Sequence, residues 1–316
     1  MPSDNNKFTG AKSGFGGGGN GGYDKLSSGR GNEKRRISNE RGRAGTEEAR
    51  PGTYRQGDNS GRPCDEAAEG AIFGRNAVKE LLAANRPVDK IFVLRGAREG
   101  SIVVLIAQAH SRGIPVIDVE RGKLDTLSGG ANHQGIVAMA AEREYSTIDD
   151  ILNIASERAE RPFIVIADRI EDPHNLGALI RSAECAGAHG VIIPKRRASG
   201  LSPLASKASA GAVEHIAVAK VTNIAAAVDE LKEKGLWIYA AEVGGTEYYK
   251  TDFSSPCAVI FGSEGGGVSR LVKEKSDFIV TIPLYGQINS LNVSAAAAVI
   301  LSEAARQRHT GGKSLL

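Results

Sequence analysis

Hydrophobic and polar positions follow two different periods along the chain, most clearly after residue 161. Short, fully apolar runs are separated there by stretches with an apolar residue every three or four positions. Such runs indicate buried strands, and such stretches indicate amphipathic helices. The predicted strands are residues 163–167, 190–194, 236–241, 258–262 and 278–282. The predicted helices are residues 175–187, 222–234 and about 290–308.

Fully apolar strands between helices favour a mostly parallel sheet that is covered on both faces. We therefore predict an α/β fold for residues 162–316. Residues 70–141 alternate in a similar way and are predicted to form a smaller α/β domain. Its predicted helices are residues 74–85 and 99–112, and its predicted strands are residues 90–94, 115–119 and 135–141. Residues 142–161 are polar with one amphipathic helix, which is typical of a linker.

The N-terminal segment, residues 1–69, differs in composition from the rest of the chain. It holds 15 of the 39 glycines and few aliphatic residues, and its 12 basic and 10 acidic side chains leave a charge of +2. Such a segment buries too little apolar surface to offset its ordering entropy. We predict a disordered tail. Its Arg-Gly pieces suggest weak RNA affinity, but a solvated tail without function is the plainer interpretation.

Charge and cysteine content limit the protein class. A net charge of +3 excludes a strongly polyacidic or polybasic protein and permits a nucleic-acid binder whose basic residues are localised. Three cysteines without a CxxC pair give no disulfide framework and favour a reducing compartment.

The sequence shows neither a membrane segment nor a targeting signal. The longest apolar run, residues 295–301, is far shorter than a membrane helix, and the N-terminus has no signal-peptide pattern, so we expect a cytoplasmic protein. The six histidines show no metal-binding spacing, and we expect no metal.

Three segments carry candidate chemistry, each at the end of a predicted strand. In the first, Asn175 stands where a helix N-cap is expected, and Arg181 lies off the apolar stripe of the helix that follows. Taken alone, this segment is better explained as a capped helix with a solvent-facing arginine. Its small residues permit another element to approach closely.

The second segment is a strand that runs into a turn with four glycines among residues 262–267 and one carboxylate, Glu264. Glycine lets backbone groups reach a ligand that a Cβ would exclude, and ligands bind beyond the carboxyl ends of strands in open α/β sheets. In the third segment, Ser290 is predicted to cap the last helix and Asn292 to lie in its first turn. A helix N-terminus offers donors for polar or anionic groups.

Together these segments resemble the SpoU/TrmH family of knotted (SPOUT-class) RNA ribose 2′-O-methyltransferases. The matching pieces are NLGALIRSA at 175–183, GSEGGG at 262–267, IPL at 282–284 and SLNVS at 290–294. Residues 70–141, opening with GRNAVKELL, resemble the L30e-like RNA-binding domain that precedes the catalytic domain in many members. This layout is most similar to members that methylate a guanosine of 23S rRNA. The N-terminal tail lies outside the family pattern.

The resemblance implies a fold, a cofactor and site residues. S-adenosylmethionine is expected to lie in a deep trefoil knot, held by the backbones of Gly262, Ile282 and Leu291. The motif positions that carry over as active-site residues are Asn175, Arg181, Glu264, Ser290 and Asn292. Family members are homodimers whose active site is completed across the interface, so Arg181, the residue tied to catalysis, is expected to serve the partner's cofactor.

The chemistry of methyl transfer limits the roles of two of these residues. A guanidinium pKa above about 12 makes Arg181 a costly general base, so we expect it to clamp a flanking phosphate and to stabilise developing oxyanion character. A carboxylate against the sulfonium would stabilise the ground state more than the transition state. Glu264 is therefore predicted to fix loop backbone, or to orient Arg181 or Asn292.

RNA is the expected partner, and rRNA the expected substrate. Two alternatives stay open: a tRNA ribose 2′-O-methyltransferase, and a non-catalytic RNA-binding or ribosome-assembly protein with the same fold. Seven basic residues are candidate phosphate contacts, although a solvated surface charge is the plainer interpretation of each: Arg75, Lys90, Arg95, Arg98, Lys195, Arg196 and Arg197.

Overall fold

The computed structural model describes residues 67–310, except Asn85, Arg98, Glu142 and the side chain of Thr310. Residues 1–66, which make up almost all of the predicted tail, lie outside the described residues, and so does the candidate RNA contact Arg98. Within the described residues, no helix is both long and apolar enough to cross a bilayer.

The N-terminal lobe is built on a four-stranded mixed sheet in the order β1-β4-β2-β3. β2 and β3 are parallel, whereas β4 is antiparallel to both β1 and β2. The strands are β1 (Ala71–Phe73), β2 (Val88–Leu94), β3 (Val116–Val119) and β4 (Ile136–Ala140). The helices are α1 (Arg75–Ala83), α2 (Ser101–Ser111) and α3 (Arg121–Leu127). β1 and α3 were not predicted, because elements this short show too little periodicity.

The C-terminal lobe contains a six-stranded, fully parallel sheet in the order β10-β8-β9-β5-β6-β7. Its strands are β5 (Phe163–Ala167), β6 (Gly190–Pro194), β7 (Ala217–Val221), β8 (Trp237–Glu247), β9 (Cys257–Phe261) and β10 (Phe278–Thr281). Its helices are α4 (Ile148–Glu157), α5 (Pro173–Cys185), α6 (Pro203–Ala208), α7 (Ile224–Glu233), α8 (Arg270–Lys275) and α9 (Val293–Thr310). The predicted α/β class with a mostly parallel sheet is confirmed; the knot stays a prediction.

The central strand β5 shows why its sequence is apolar at every position. Phe163 and Val165 belong to the core cluster that contains α5 and α9 residues, while Ile164 and Ile166 belong to the cluster on the opposite face. Successive side chains of a strand point to opposite faces. Because helices cover both faces of the sheet, neither face tolerates polar residues.

The order of the strands positions the functional site. The chain passes from β5 to β6 and β7 on one side, and then crosses to β8, β9 and β10 on the other. Connections leave the neighbouring strands β5 and β9 in opposite directions at such a reversal. Ligands of open α/β sheets bind in the crevice outside the carboxyl ends of strands at this point. The segments after β5 and β9 are therefore expected to form the site.

The segment predicted as a linker, residues 142–161, packs against the C-terminal sheet. Ser146 bridges to Ala219 of β7, and α4 follows with a capping box between Thr147 and Asp150. The two lobes also contact each other through a hydrogen bond and an ion pair. Glu80 of α1 lies 3.0 Å from Nε2 of His215, and Glu214 lies 2.9 Å from Arg86. The domain boundaries proposed from the sequence stay predictions.

Candidate active site

The first site element is α5, which begins two residues earlier than its sequence predicts. Asp172 is the N-cap: its side chain accepts the N–H of His174, and Pro173 occupies the first turn. The predicted N-cap role of Asn175 is therefore wrong. Asp172 and Pro173 give a stronger N-terminal signal than a single Asn, because proline is favoured at the first helical position. Asn175 instead lies buried inside the helix.

Small residues of α5 allow the close approach that the sequence predicts. A Cβ at Gly177 would contact the backbone oxygen of Ala205 and the backbone nitrogen of Ser209. The neighbour is thus α6, a helix that was not predicted because it has only six residues. Arg181, on the same helix as Gly177, is exposed.

The second element is the glycine-rich turn after β9. Ser263 and Gly267 exchange backbone hydrogen bonds of 2.9 and 3.1 Å, which close the turn. A Cβ at Gly262 would overlap the backbone of Gly267 and Val268. Gly267 has a φ of +59°, in the left-handed region that favours glycine. Gly262 and Gly267 are therefore required by the tightness of this turn.

The third element is the start of α9, which begins at Val293 rather than at residue 290. Asn292, not Ser290, caps the helix: its Oδ1 accepts the N–H of Ser294 at 2.9 Å, and its carbonyl accepts the N–H of Ala296. The predicted cap at Ser290 is wrong, because the chain from Ile282 to Leu291 is irregular and delays the helix.

Asn175, Glu264 and Asn292 form one hydrogen-bonded cluster, although they come from three distant segments. Nδ2 of Asn175 donates to Oε1 of Glu264 at 2.9 Å. Nδ2 of Asn292 donates to the same oxygen at 2.6 Å and to Oδ1 of Asn175 at 3.0 Å. Glu264 thus orients Asn292, one of the roles that its sequence context predicts, and it also holds Asn175. Arg181 is not part of this cluster.

A cavity of about 510 Å³ lies beside the cluster. Gly262, Ile282 and Leu291 line it together with Glu264, Ser290 and Asn292. The structure therefore brings together the three positions assigned to the cofactor and three of the five assigned to the active site. Asn175 touches this group through its hydrogen bonds, whereas Arg181 does not line the cavity within this chain.

Glu242 also lines the cavity, and sequence reasoning missed it. It follows the predicted strand 236–241 directly, and the first polar residue after a strand of a parallel sheet is a signal that points to it. β8 continues beyond this prediction to Glu247, which also makes that strand longer than expected. Among the described residues, no group of His, Cys, Asp and Glu side chains is arranged to hold a metal ion.

The candidate RNA contacts differ in their local partners. Arg75 donates to the backbone oxygen of Gln134 at 3.3 Å, and Arg95 pairs with Glu120 at 2.7 Å. Nζ of Lys90 lies 5.8 Å from the centre of the Phe92 ring. The remaining candidates in the described chain follow β6 as exposed residues: Lys195, Arg196 and Arg197.

Comparison with known proteins agrees with this architecture. Residues 162–302 match the family model described as the SpoU rRNA Methylase family. Residues 71–146 match a second family model, described as RNA 2′-O ribose methyltransferase substrate binding. A Bacillus subtilis protein assigned to the TrmH family of tRNA/rRNA methyltransferases, YacO, is 43% identical over 77% of this chain and 97% of its own length. A Staphylococcus aureus protein with the same family assignment is 41% identical over 77% of this chain and 98% of its own.

Solved structures show the same fold. An AdoMet-bound rRNA methyltransferase from Sinorhizobium meliloti is 25% identical, with a TM-score of 0.61 over 75% of this chain and 86% of that one. An RNA 2′-O ribose methyltransferase is 27% identical, with a TM-score of 0.63 over 76% of this chain and 88% of that one.

Proposed function

Because the chain belongs to the SpoU/TrmH family of S-adenosylmethionine-dependent RNA methyltransferases, we propose that it methylates a ribose 2′-hydroxyl of rRNA, at a guanosine of 23S rRNA. One observation carries this proposal: Asn175, Glu264 and Asn292 meet in a single hydrogen-bonded cluster beside a cavity. A protein that only bound RNA would not require three distant polar residues to meet there.

The residues around the cavity fit S-adenosylmethionine. The volume lies within the range of small-molecule sites, about 300–1,000 Å³. Gly262 adds no side chain to the cavity wall. A Cβ at this position would overlap the backbone of the glycine-rich turn. Two carboxylates, Glu242 and Glu264, suit a ligand with positive charge. The backbones of Gly262, Ile282 and Leu291 are the groups that we expect to hold the cofactor.

Bound S-adenosylmethionine supplies an electrophilic methyl group on a sulfonium. The protein has to align a weak nucleophile, the ribose hydroxyl, with that methyl group, and alignment supplies much of the rate enhancement in such reactions. Asn292 is fixed on both sides, because its amide donates to Glu264 and Asn175 while its Oδ1 accepts from Ser294. Glu264 and Asn175 therefore act as positioning residues, and Ser290 offers a hydroxyl at the cavity.

Arg181 is proposed to complete the active site of a second copy of the chain. It is exposed and is not among the described residues that line the cavity of its own chain, so a second chain is the partner that we propose for it. Ala295 and Ala298 of α9 are exposed and form part of a flat surface on which another backbone can pack. In a homodimer, the Arg181 guanidinium would clamp a phosphate next to the target ribose and stabilise developing negative charge on the oxygen.

A tRNA substrate is the second candidate, because the relatives carry the assignment tRNA/rRNA methyltransferase. We favour rRNA because the N-terminal lobe is matched by the substrate-binding family model, and our proposal gives this lobe the role of a separate RNA-binding domain. Two reactions separate the candidates. In one, purified protein is incubated with labelled S-adenosylmethionine and undermodified rRNA. In the other, tRNA replaces the rRNA. We expect label on ribose in rRNA. Label in tRNA alone would favour the second candidate.

The same assay tests the non-catalytic alternative. Tight RNA binding without label on any ribose would contradict an enzymatic role. Mapping of ribose methylation in a strain that lacks the gene then identifies the nucleotide, and we expect one guanosine of 23S rRNA to lose its methyl group.

A further inference from the structure

The cavity proposed to hold the cofactor is negatively charged. Among the described residues that line it, Glu242 and Glu264 carry charge and no lysine, arginine or histidine is present. S-adenosylmethionine carries a sulfonium, an ammonium and a carboxylate, and is a cation overall. The product S-adenosylhomocysteine lacks the sulfonium and is neutral overall. A negative cavity can therefore distinguish cofactor from product by charge.

The two carboxylates differ in how their oxygens are used. Oε1 of Glu264 accepts two side-chain amides, at 2.9 and 2.6 Å, and so serves the cluster. Glu242 accepts only backbone N–H groups, from Val268 at 3.3 Å and from Val243 at 3.2 Å. Both distances are at the long end for a hydrogen bond. A carboxylate has about four acceptor positions, so Glu242 keeps capacity for a ligand.

The local structure brings the Glu242 carboxylate to the glycine-rich turn. Ala241 of β8 pairs with Phe261, the last residue of β9, so Glu242 and Gly262 follow this pair side by side. A Cβ at Gly267 would overlap Oε2 of Glu242. The last glycine of the turn is thus required for Glu242 to occupy its position.

We propose that Glu242 is a specificity residue of the cofactor site, whose charge favours S-adenosylmethionine over S-adenosylhomocysteine and so promotes exchange of product for fresh cofactor. The inference rests on the proposed cofactor role of the cavity. The positive charge disappears as the methyl group moves, so the carboxylate stabilises the bound cofactor more than the transition state. Its benefit lies in product release.

The test measures binding of both ligands to the full-length protein by titration calorimetry. Glu242→Gln removes the charge but keeps the size and one oxygen acceptor. We expect its affinity for S-adenosylmethionine to fall about tenfold, an effect on the scale of one charge interaction in a partly solvated site. Affinity for S-adenosylhomocysteine should change less than about twofold. Glu233→Gln, an exposed position at the end of α7, is the matched control and should change neither affinity.

Glu242→Asp keeps the charge on a shorter side chain and should retain the preference for S-adenosylmethionine, even if both affinities fall. Equal weakening of both ligands by Glu242→Gln would overturn the proposal, because Glu242 would then act only by supporting the turn. Unchanged affinities would also overturn it. If the unaltered protein bound neither ligand, the proposed function itself would fail, and this result is distinct from the other two.

Discussion

The side-chain amide of Asn175 donates a hydrogen bond to Oε1 of Glu264 across 89 positions of sequence. Asn175 is buried in the first turn of α5, and Glu264 lies in the glycine-rich turn after β9. Asn292 donates to both side chains from the start of α9. A buried amide without a partner is costly. Glu264 therefore links the three segments of the site, and its loss should affect both stability and activity.

Replacement of Glu264 separates its role as an acceptor from its charge. Glu264→Ala removes the acceptor of two amides and should lower the free energy of unfolding by about 1–3 kcal/mol. Glu264→Gln keeps an oxygen acceptor, so its stability and much of its methyl transfer should be retained. Urea unfolding and single-turnover methylation measure the two effects. If both variants lost activity equally, the charge of Glu264 would be the important property, and the positioning role would be wrong.

Substitution of Gly262 tests whether the glycine-rich turn has to pack closely at this residue. Gly262→Ala introduces a Cβ that overlaps the backbone of Gly267 and Val268, so the turn has to move and the cavity wall changes. We expect affinity for S-adenosylmethionine to fall at least about tenfold. Gly286→Ala is the control, since a Cβ there meets no atom within 4 Å among the described residues. Equal affinities of the two variants would contradict the proposed location of the cofactor.

The sequence predicted the parallel sheet well, because its strands are apolar on both faces. β5 and β6 have the predicted bounds, and the family, the α/β class and S-adenosylmethionine as cofactor are confirmed. Short elements such as α6 and α8 were missed, since six residues contain fewer than two helical turns. Local propensity also misplaced the N-caps of α5 and α9. Pro173 sets the start of α5, and the irregular chain before α9 delays the start of that helix.

Site residues were harder to place than strands. Sequence motifs identified Asn175, Glu264 and Asn292, but their mutual hydrogen bonds depend on the strand order and are not readable from spacing. Glu242 was missed because a single carboxylate after a strand looks like an ordinary loop residue. Its position at the site depends on the pairing of β8 with β9, which the sequence pattern does not give. The catalytic assignments themselves stay predictions.

Arg181 provides a test of action between subunits. A mixed dimer combines one chain carrying Arg181→Ala with one carrying Asn292→Ala, each purified through a different tag. If Arg181 serves the partner's cavity, one of the two sites in the mixed dimer is intact, and methylation should reach about half of the unaltered rate. Each parent homodimer should be nearly inactive. A mixed dimer as inactive as its parents would show that Arg181 acts within its own chain, or that the assembly is different.

His189 is expected to make stability depend on pH, independently of catalysis. The ring is buried, its Nδ1 accepts the backbone N–H of Phe163 at 3.0 Å, and Nε2 lies 3.0 Å from Glu160. Burial lowers the pKa of His189 in the fold, and it outweighs the opposite effect of Glu160. The folded protein therefore resists protonation at pH values where the unfolded chain, with a histidine pKa near 6.5, accepts a proton.

The sign of this effect follows from proton linkage. Stability is complete above about pH 6.5 and is lost as the pH falls toward the lowered pKa of the folded state, with a slope of at most about 1.4 kcal/mol per pH unit for one proton. His133, whose pKa burial also lowers, adds to the loss in the same direction. Urea unfolding between pH 5 and 8 should show a shallower decline for His189→Gln than for the unaltered protein. His174→Gln, at an exposed position of α5, should keep the full decline. If His189→Gln declined as steeply as that control, protonation of His189 would not be the cause.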